Sequence, residues 1–449
     1  MTAHPPSIET IVSGEELRSA IEAHGRPVVT DHIRAIIADL RERIKPGEPW
    51  PSTDEIIEAV KKRITTTSRQ FPQRVINATG VLLHTNLGRA PWSKQLVDEI
   101  AGRLTSYVSL EYDLETGSRG KRGVAVEREL AHLTGADAAL IVNNNAAAVY
   151  LVLTALAWNR EVLISRGELV QIGGGFRIPE ILAKSGAVVR EVGTTNQTNI
   201  ADYDNACGPQ TAMILKVHRS NFVQTGFVSE VEPKDLAILG KKKSVPVVWD
   251  LGSGGVGPGS ICEYSGEPTL RAAITSGVDL VTSSGDKLFG GPQAGIVLGR
   301  ADLINRLKSD PFYRALRPDK AMLLAMEFTV KAHRAGRAAE LIPLYQLLAV
   351  SNETLRARAD ALAKTAQPVG LKTSVVKTRD TFGGGAAPGK TIEGWGVRIE
   401  TAKPDEFVKR ARDFSPPIIA TVTSDGVVFS LRTMFDHDDT ALARFLSTR

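Results

Sequence analysis

The sequence predicts an α/β protein built on a mainly parallel, doubly wound sheet, with a small helical domain before it and a smaller α+β domain after it. Three observations predict this. Between residues 138 and 282, short apolar runs alternate with helical patterns, as in a chain that crosses repeatedly over one parallel sheet. Residues 1–70 carry only helical spacing, punctuated by Pro46 and Pro51. Past Pro311 a long helical stretch gives way to isolated strand patterns around a glycine-rich loop. The expected divisions are therefore 1–70, 71–320 and 321–449.

Composition narrows the class. A chain of 449 residues with 42% hydrophobic and 23% charged residues is ordinary for a multi-domain globular protein. Cys207 and Cys262 lie far apart and form no CxxC, which argues against a disulfide framework or structural zinc and suits a reducing cytoplasm. The N-terminus lacks a basic region followed by an apolar one, so no signal peptide is expected, and no apolar run reaches membrane-spanning length. The net charge of +5 permits an anionic partner without demanding one.

In the first domain, Ser13-Gly-Glu-Glu opens a segment with Leu17 and Ile21 at helical spacing. Thr30-Asp31 is expected to cap a second, with Ile33, Ile36, Ile37 and Leu40 on one face. Ser52-Thr-Asp-Glu55 reads as a capping box before Ile56, Ile57, Val60 and Ile64. Ten Lys/Arg against eleven Asp/Glu leave no nucleic-acid footprint in the totals of 1–70, and the stripe Lys61-Lys62-Arg63 reads first as a solvated face.

The core follows. Residues 74–91, RVINATGVLLHTNLGRAP, read as two short strands around a glycine turn, ending in a polar, site-like loop with Arg89. Residues 110–123 are Gly- and Arg-rich and read as irregular. A helix over Val124–Leu133 precedes a strand at 138–142, which runs into Asn143, Asn144 and Asn145 at the start of an apolar helix. A strand, a polar turn and a helix N-terminus make an anion site, because free N–H groups point at the ligand. Strands are then expected at 161–165, 188–192, 212–217, 245–250 and 278–282, with helices near 177–184, 233–242 and 269–276. Asn143, Arg166, His218, Asp250 and Lys287 all fall at or just past strand ends, where open α/β sheets bind ligands. In the last domain strands are expected at 375–378, 394–400 and 427–432, and 382–389 reads as a flexible loop.

Lys287, in Ser283–Gly295 (SSGDKLFGGPQAG), stands among small residues after an apolar run. Lysines are rarely buried without a partner. One held at a strand end, with Ser284 before it and Gly290-Gly291 after it, suits covalent attachment of pyridoxal phosphate (PLP). The segment alone fits a surface lysine in a glycine-rich turn equally well. Asp250 shifts the balance, since a carboxylate facing the pyridine nitrogen keeps it protonated. Asn143, Asn144, Asn145 and Ser284 are candidates for the cofactor phosphate, with His218 and Arg166 at neighbouring strand ends. Arg89, Arg314 and Arg317 are candidates for anionic substrate groups. Nucleotide-binding alternatives lack their glycine motifs, and the eight scattered histidines form no metal cluster.

Taken together, RVINATGVLLHTNLGRAP, EYDLETGSRG, VNNNAAAV, ISRGELVQIGGGFRIP, LKVHRSNF, DLGSG, SGDKLFGGPQAGIVLG and RALRPDK resemble the bacterial selenocysteine synthases, the L-seryl-tRNA(Sec) selenium transferases. The resemblance spans nearly the whole chain and is strongest from Arg74 to Lys320. It implies a fold-type-I PLP enzyme with Lys287 as the cofactor lysine and Asp286 in the catalytic motif. It implies that Arg89, Arg314 and Arg317 hold substrate, that the N-terminal domain grips tRNA, and that the chain assembles as a homodecamer, a pentamer of dimers. The implied reaction converts seryl-tRNA(Sec) to selenocysteinyl-tRNA(Sec) through an aminoacrylyl intermediate, with selenophosphate as donor. The alternative is a related PLP-dependent lyase acting on a small amino or sugar acid without tRNA; such relatives as a rule lack the helical N-terminal domain.

Overall fold

The computed structural model describes residues 6–45, 48–68, 70–172, 176–256 and 266–448. The chain divides into two compact units, Met1–Val75 and Ile76–Arg449.

The first unit is helical. Its described helices are Ile8–Val12, Arg18–His24, Arg26–Arg43 and Thr53–Ser68, with a single 3₁₀ turn at Glu15–Leu17. Ile11, Leu17, Val29, Ile33, Ile37, Ile57, Val60 and Ile64 form its core, at the helical spacing legible in the sequence. The capping box forms in both directions: the Ser52 N–H donates to Glu55 Oε2 at 2.7 Å, and the Glu55 N–H to Ser52 Oγ at 3.2 Å. Thr30 and Asp31 do not cap. The helix begins at Arg26 because Pro27, which lacks an N–H, suits its first turn, and Gly25 supplies the entry at φ +85°.

In the second unit a seven-stranded sheet runs in the order Ala138–Val142, Gly295–Gly299, Leu280–Ser284, Val247–Gly252, Thr211–Val217, Glu161–Ser165, Val188–Val192. Every pairing is parallel except the two made by Gly295–Gly299, which runs against both neighbours. Both faces are buried. Ala139 and Ile141 pack into one apolar cluster, while Leu140 and Val142 pack into the other, with the helix Asn145–Ala157. No described helix is long and apolar enough to cross a membrane.

The expected boundary between core and C-terminal domain is crossed by the chain. The strand Ile76–Ala78 belongs to a second, five-stranded sheet, pairing in parallel with Ile418–Ala420 beside strands 426–430, 391–399 and 373–381. After it the second expected strand near 81 is a single bridge, Val81 to Thr381, and the chain turns through 3₁₀ at Thr85–Leu87. Residues 110–123 are not wholly irregular, since Tyr112–Asp113 and Ser118–Arg119 form an exposed two-stranded hairpin.

The loop 382–389 also departs from the flexible reading. Phe382, Ala386 and Ala387 are 0%, 1% and 3% exposed, and the Leu83 N–H donates to the Phe382 carbonyl at 2.8 Å. Gly383, Gly385, Ala387 and Gly389 all have positive φ. Ala387 holds φ +48°, a conformation that costs a residue with a Cβ about 1–2 kcal/mol. Such strain persists only where surrounding contacts fix the chain.

Candidate active site

The parallel strands converge on a cavity of about 320 Å³ lined by Arg89, Asn144, Asn145, Asp250, Ser284, Asp286 and Lys287, among others. Lys287 is 5% exposed, and its Nζ makes no hydrogen bond among the described residues. A buried amine without a hydrogen bond is costly in its charged form. Burial holds its pKa below the ordinary lysine range, and the Arg89 guanidinium pushes the same way, against Asp250, Asp286 and Glu267. Both effects favour the neutral amine over the ammonium.

The turn that presents Lys287 is clamped. The Gly290 N–H closes on the Lys287 carbonyl at 2.9 Å, with Gly290 at φ +73°. A Cβ there would meet Ile342 Cγ2 at 2.6 Å, so only glycine suits the position. Tyr345 Oη donates to the Leu288 carbonyl at 3.0 Å, and His333 Nε2 to the Phe289 carbonyl at 2.9 Å. Burial pushes the His333 pKa down to about 4, so the ring is neutral near pH 7.

Asp250, 3% exposed, ends the strand Val247–Gly252. Its Oδ1 accepts from Asn145 Nδ2 at 2.9 Å, Thr282 Oγ1 at 2.9 Å and the Gly252 N–H at 3.2 Å. Burial raises its pKa against those bonds and the charge of Lys287. These three bonds all end on Oδ1, leaving Oδ2 for a further donor. Asn145 therefore braces the carboxylate rather than reaching for a phosphate with its side chain. Asn144 is the helix N-cap, its Oδ1 accepting from the Ala147 N–H at 2.9 Å. The Asn145 and Ala146 N–H groups have no partner among the described residues. They open the 13-residue helix beside the cavity, where, with the Ser284 hydroxyl, they could hold an anion. Asn143 stands outside the cavity lining: its N–H bonds the Leu316 carbonyl at 3.0 Å, and its buried Oδ1 has no partner.

Arg89, at φ +60°, donates from Nη1 to Asp286 Oδ2 at 2.9 Å. That bond fixes the guanidinium at the cavity. The other two arginines are elsewhere in the chain. Arg317 pairs with Glu111 at 3.2 Å and lines a separate cavity of about 600 Å³ with Arg119, Arg122 and Lys308. Arg314 is exposed and lines neither. Arg166 is also apart: its side chain is 53% exposed and paired with Glu191 at 2.7 Å, so the strand-end rule misplaces it. His218 does not line the cavity. Its Nε2 lies 2.7 Å from Glu267 Oε2, and its N–H donates to the Asp250 carbonyl at 2.9 Å.

Four contributors had no signal of their own in the sequence. Thr282 braces Asp250. Glu168, fully buried, accepts from Lys216 Nζ at 3.0 Å and the Val217 N–H at 2.9 Å, fixing the strand that ends at His218. Glu267 bonds His218 and the Ala387 N–H. Gly385 approaches Lys287 so closely that an added Cβ would meet Nζ at 2.9 Å.

The residues fit PLP. A cavity of this size holds a small ring and its phosphate. An unpaired amine stands ready for its aldehyde, Asp250 Oδ2 for its ring nitrogen, and a helix N-terminus with Ser284 for its phosphate.

Comparison with known proteins agrees. Residues 75–435 match the family described as L-seryl-tRNA selenium transferase, and residues 6–41 match selenocysteine synthase N terminal. An L-seryl-tRNA(Sec) selenium transferase of Aquifex aeolicus is 45% identical over 85% of this chain and 85% of its own. Another, of Geobacter metallireducens, is 41% identical over 99% of this chain and 98% of its own. Among solved structures, that of D-glucosaminate-6-phosphate ammonia-lyase aligns with a TM-score of 0.61 at 18% identity, covering 85% of this chain and 97% of that one, a likeness of fold. By sequence along nearly its whole length, the chain belongs to the L-seryl-tRNA(Sec) selenium transferase family.

Proposed function

We propose that this chain converts L-seryl-tRNA(Sec) to L-selenocysteinyl-tRNA(Sec) with PLP on Lys287 and selenophosphate as donor. The observation that carries the reading is the buried Lys287 amine, without a hydrogen bond, between the braced Asp250 carboxylate and the Arg89–Asp286 pair. Bound there, PLP supplies an electron sink that makes the seryl Cα proton acidic and lets the β-hydroxyl leave.

The chain's own groups do the rest. Asp250 Oδ2 holds the proton on the ring nitrogen. The N–H groups of Asn145 and Ala146, with Ser284, bind the phosphate. Lys287 Nζ takes the proton from the seryl Cα and returns one to the product. Arg89, oriented by Asp286, pairs with the anionic donor. Arg314 and Arg317 keep their proposed donor role on the family resemblance alone.

The helical unit is proposed to hold the tRNA, supported by the match of residues 6–41 to the selenocysteine synthase N-terminal family. That match also favours this reading over a lyase acting on a small amino or sugar acid. Its basic stripe is partly neutralised, with Arg63 paired to Asp39 at 2.9 Å and Lys61 to Glu58 at 2.8 Å. Deleting residues 1–70 should abolish tRNA binding and spare PLP binding. We further propose assembly as a homodecamer, a pentamer of dimers, in the reducing cytoplasm.

The direct test incubates the protein with seryl-tRNA(Sec) and labelled selenophosphate and analyses the aminoacyl product. Labelled selenocysteinyl-tRNA supports the reading. Hydrolysis or elimination of free amino or sugar acids, with seryl-tRNA untouched, would replace it with the lyase.

A further inference from the structure

We propose that Glu267, bridging to His218, is a positioning residue that holds the glycine loop 383–389 as a wall over the Lys287 amine. This rests on Lys287 being the reactive lysine of the proposed function.

The bridge has two ends. Glu267 Oε2 lies 2.7 Å from His218 Nε2, and Oε1 accepts the Ala387 N–H at 3.0 Å. Its side chain is only 5% exposed, so both bonds are shielded from competing water. His218 is itself fixed from behind. Its N–H bonds the Asp250 carbonyl, and the preceding Val217 and Lys216 are held by the buried Glu168. The rigid end of the large sheet thus reaches, through one carboxylate, a loop that joins two strands of the other sheet.

That loop needs such an anchor. It turns through four positive-φ residues, and Ala387, the one with a Cβ, is the residue Glu267 grips. On its other side Gly383 lies against Leu83 and Gly384 against Thr85. Between these supports Gly385 presents backbone to Lys287, close enough that a Cβ would meet Nζ at 2.9 Å and Cε at 3.2 Å. The wall keeps the amine from turning away from the cavity and limits its access to water. The charged groups facing that amine are Arg89, Asp250, Asp286 and Glu267, so Glu267 acts through its charge as well as through the loop.

The test uses the full chain without added cofactor, so it does not depend on turnover. Two quantities are read: amide exchange over 381–390, and the pH profile of Lys287 acylation by acetic anhydride. In Glu267→Ala, exchange over the loop should rise roughly tenfold or more, as expected for loss of a shielded hydrogen bond, and acylation of Lys287 should quicken. Glu267→Gln keeps an acceptor for Ala387 and a partner for His218, so its exchange should stay within about threefold of the parent. Its acylation profile should still shift, because the charge is gone. If Glu267→Ala does not fold, His218→Ala cuts the same bridge and should raise loop exchange in the same way. Unchanged loop exchange in the folded alanine variant, or a glutamine variant as loose as alanine, overturns the proposal. Absence of selenium transfer by the parent protein would instead strike the proposed function and leave these readouts interpretable.

Discussion

Two basic clusters stand out along this chain, and they end in opposite states. At Lys287 the amine is buried and without a hydrogen bond, and Asp250, Asp286 and Arg89 are arranged around it. At Arg314 and Arg317 one guanidinium is already paired with Glu111, and the other is exposed. The first cluster stores reactivity, because burial without a partner favours the neutral amine. The second is mostly satisfied or solvated, and in the single chain it faces a different cavity. Charge alone, then, does not mark a site; what matters is whether the fold leaves the charge unanswered.

Mutations rank the two clusters. Lys287→Ala should remove covalent PLP attachment and lower turnover by on the order of 10³-fold or more, read as loss of yellow absorbance and of labelled product. Asp250→Asn should bind PLP more weakly and lower turnover by about 10²-fold, since the braced carboxylate no longer holds the ring nitrogen protonated. Arg89→Ala removes a guanidinium oriented by Asp286 and should weaken donor use by roughly 10- to 100-fold while sparing PLP binding. Arg317→Ala breaks a part-exposed pair with Glu111 and, on its proposed donor role, should weaken donor use less than Arg89→Ala does. A much larger loss for Arg317 than for Arg89 would break the comparison and return the RALRPDK arginines to the centre of the site.

The same contrast gives a pH signature. Lys287 has its pKa lowered by folding, so between that depressed value and the ordinary lysine range the unfolded chain binds more protons than the native one. Stability of the cofactor-free protein should therefore rise with pH through that window. Lys287→Met should be more stable than the parent at neutral pH, with the advantage shrinking as pH climbs toward 10.5, the unperturbed lysine value. Parallel melting curves for the two proteins at all pH values would show that the amine is not desolvated.

Much of this was legible in the sequence, and for physical reasons. Period-2 and continuous apolar runs placed six of the seven main strands, because strands buried on both faces must be apolar. Ser52 and Glu55 announced their helix through chemistry local to four residues. Lys287 and Asp250 stood out because strand ends are where such sheets leave polar groups free, and Arg89 because it ends a polar loop beside apolar strands. The failures were non-local. Gly295–Gly299 is as apolar as its neighbours, and nothing in it shows that it runs the other way. Ile76–Ala78 pairs with residues more than 300 positions later, so its place in the second sheet could not be seen from its surroundings. Arg166 sits at a strand end, yet its half-exposed side chain turns to Glu191. The glycine tract 383–389 reads as slack by composition, but its positive-φ residues serve a tight approach to Lys287. Glu267, ordinary by every local criterion, matters only once His218 and Ala387 are folded around it.

The buried Lys287 amine, which makes no hydrogen bond among the described residues, is the group proposed to carry PLP. Incubating the protein with PLP, reducing it with borohydride and mapping the modified peptide by mass spectrometry tests this most directly. A single pyridoxyl group is expected on the peptide containing Lys287, and none in Lys287→Ala. A label on another lysine such as the buried Lys216, or none at all, would contradict it.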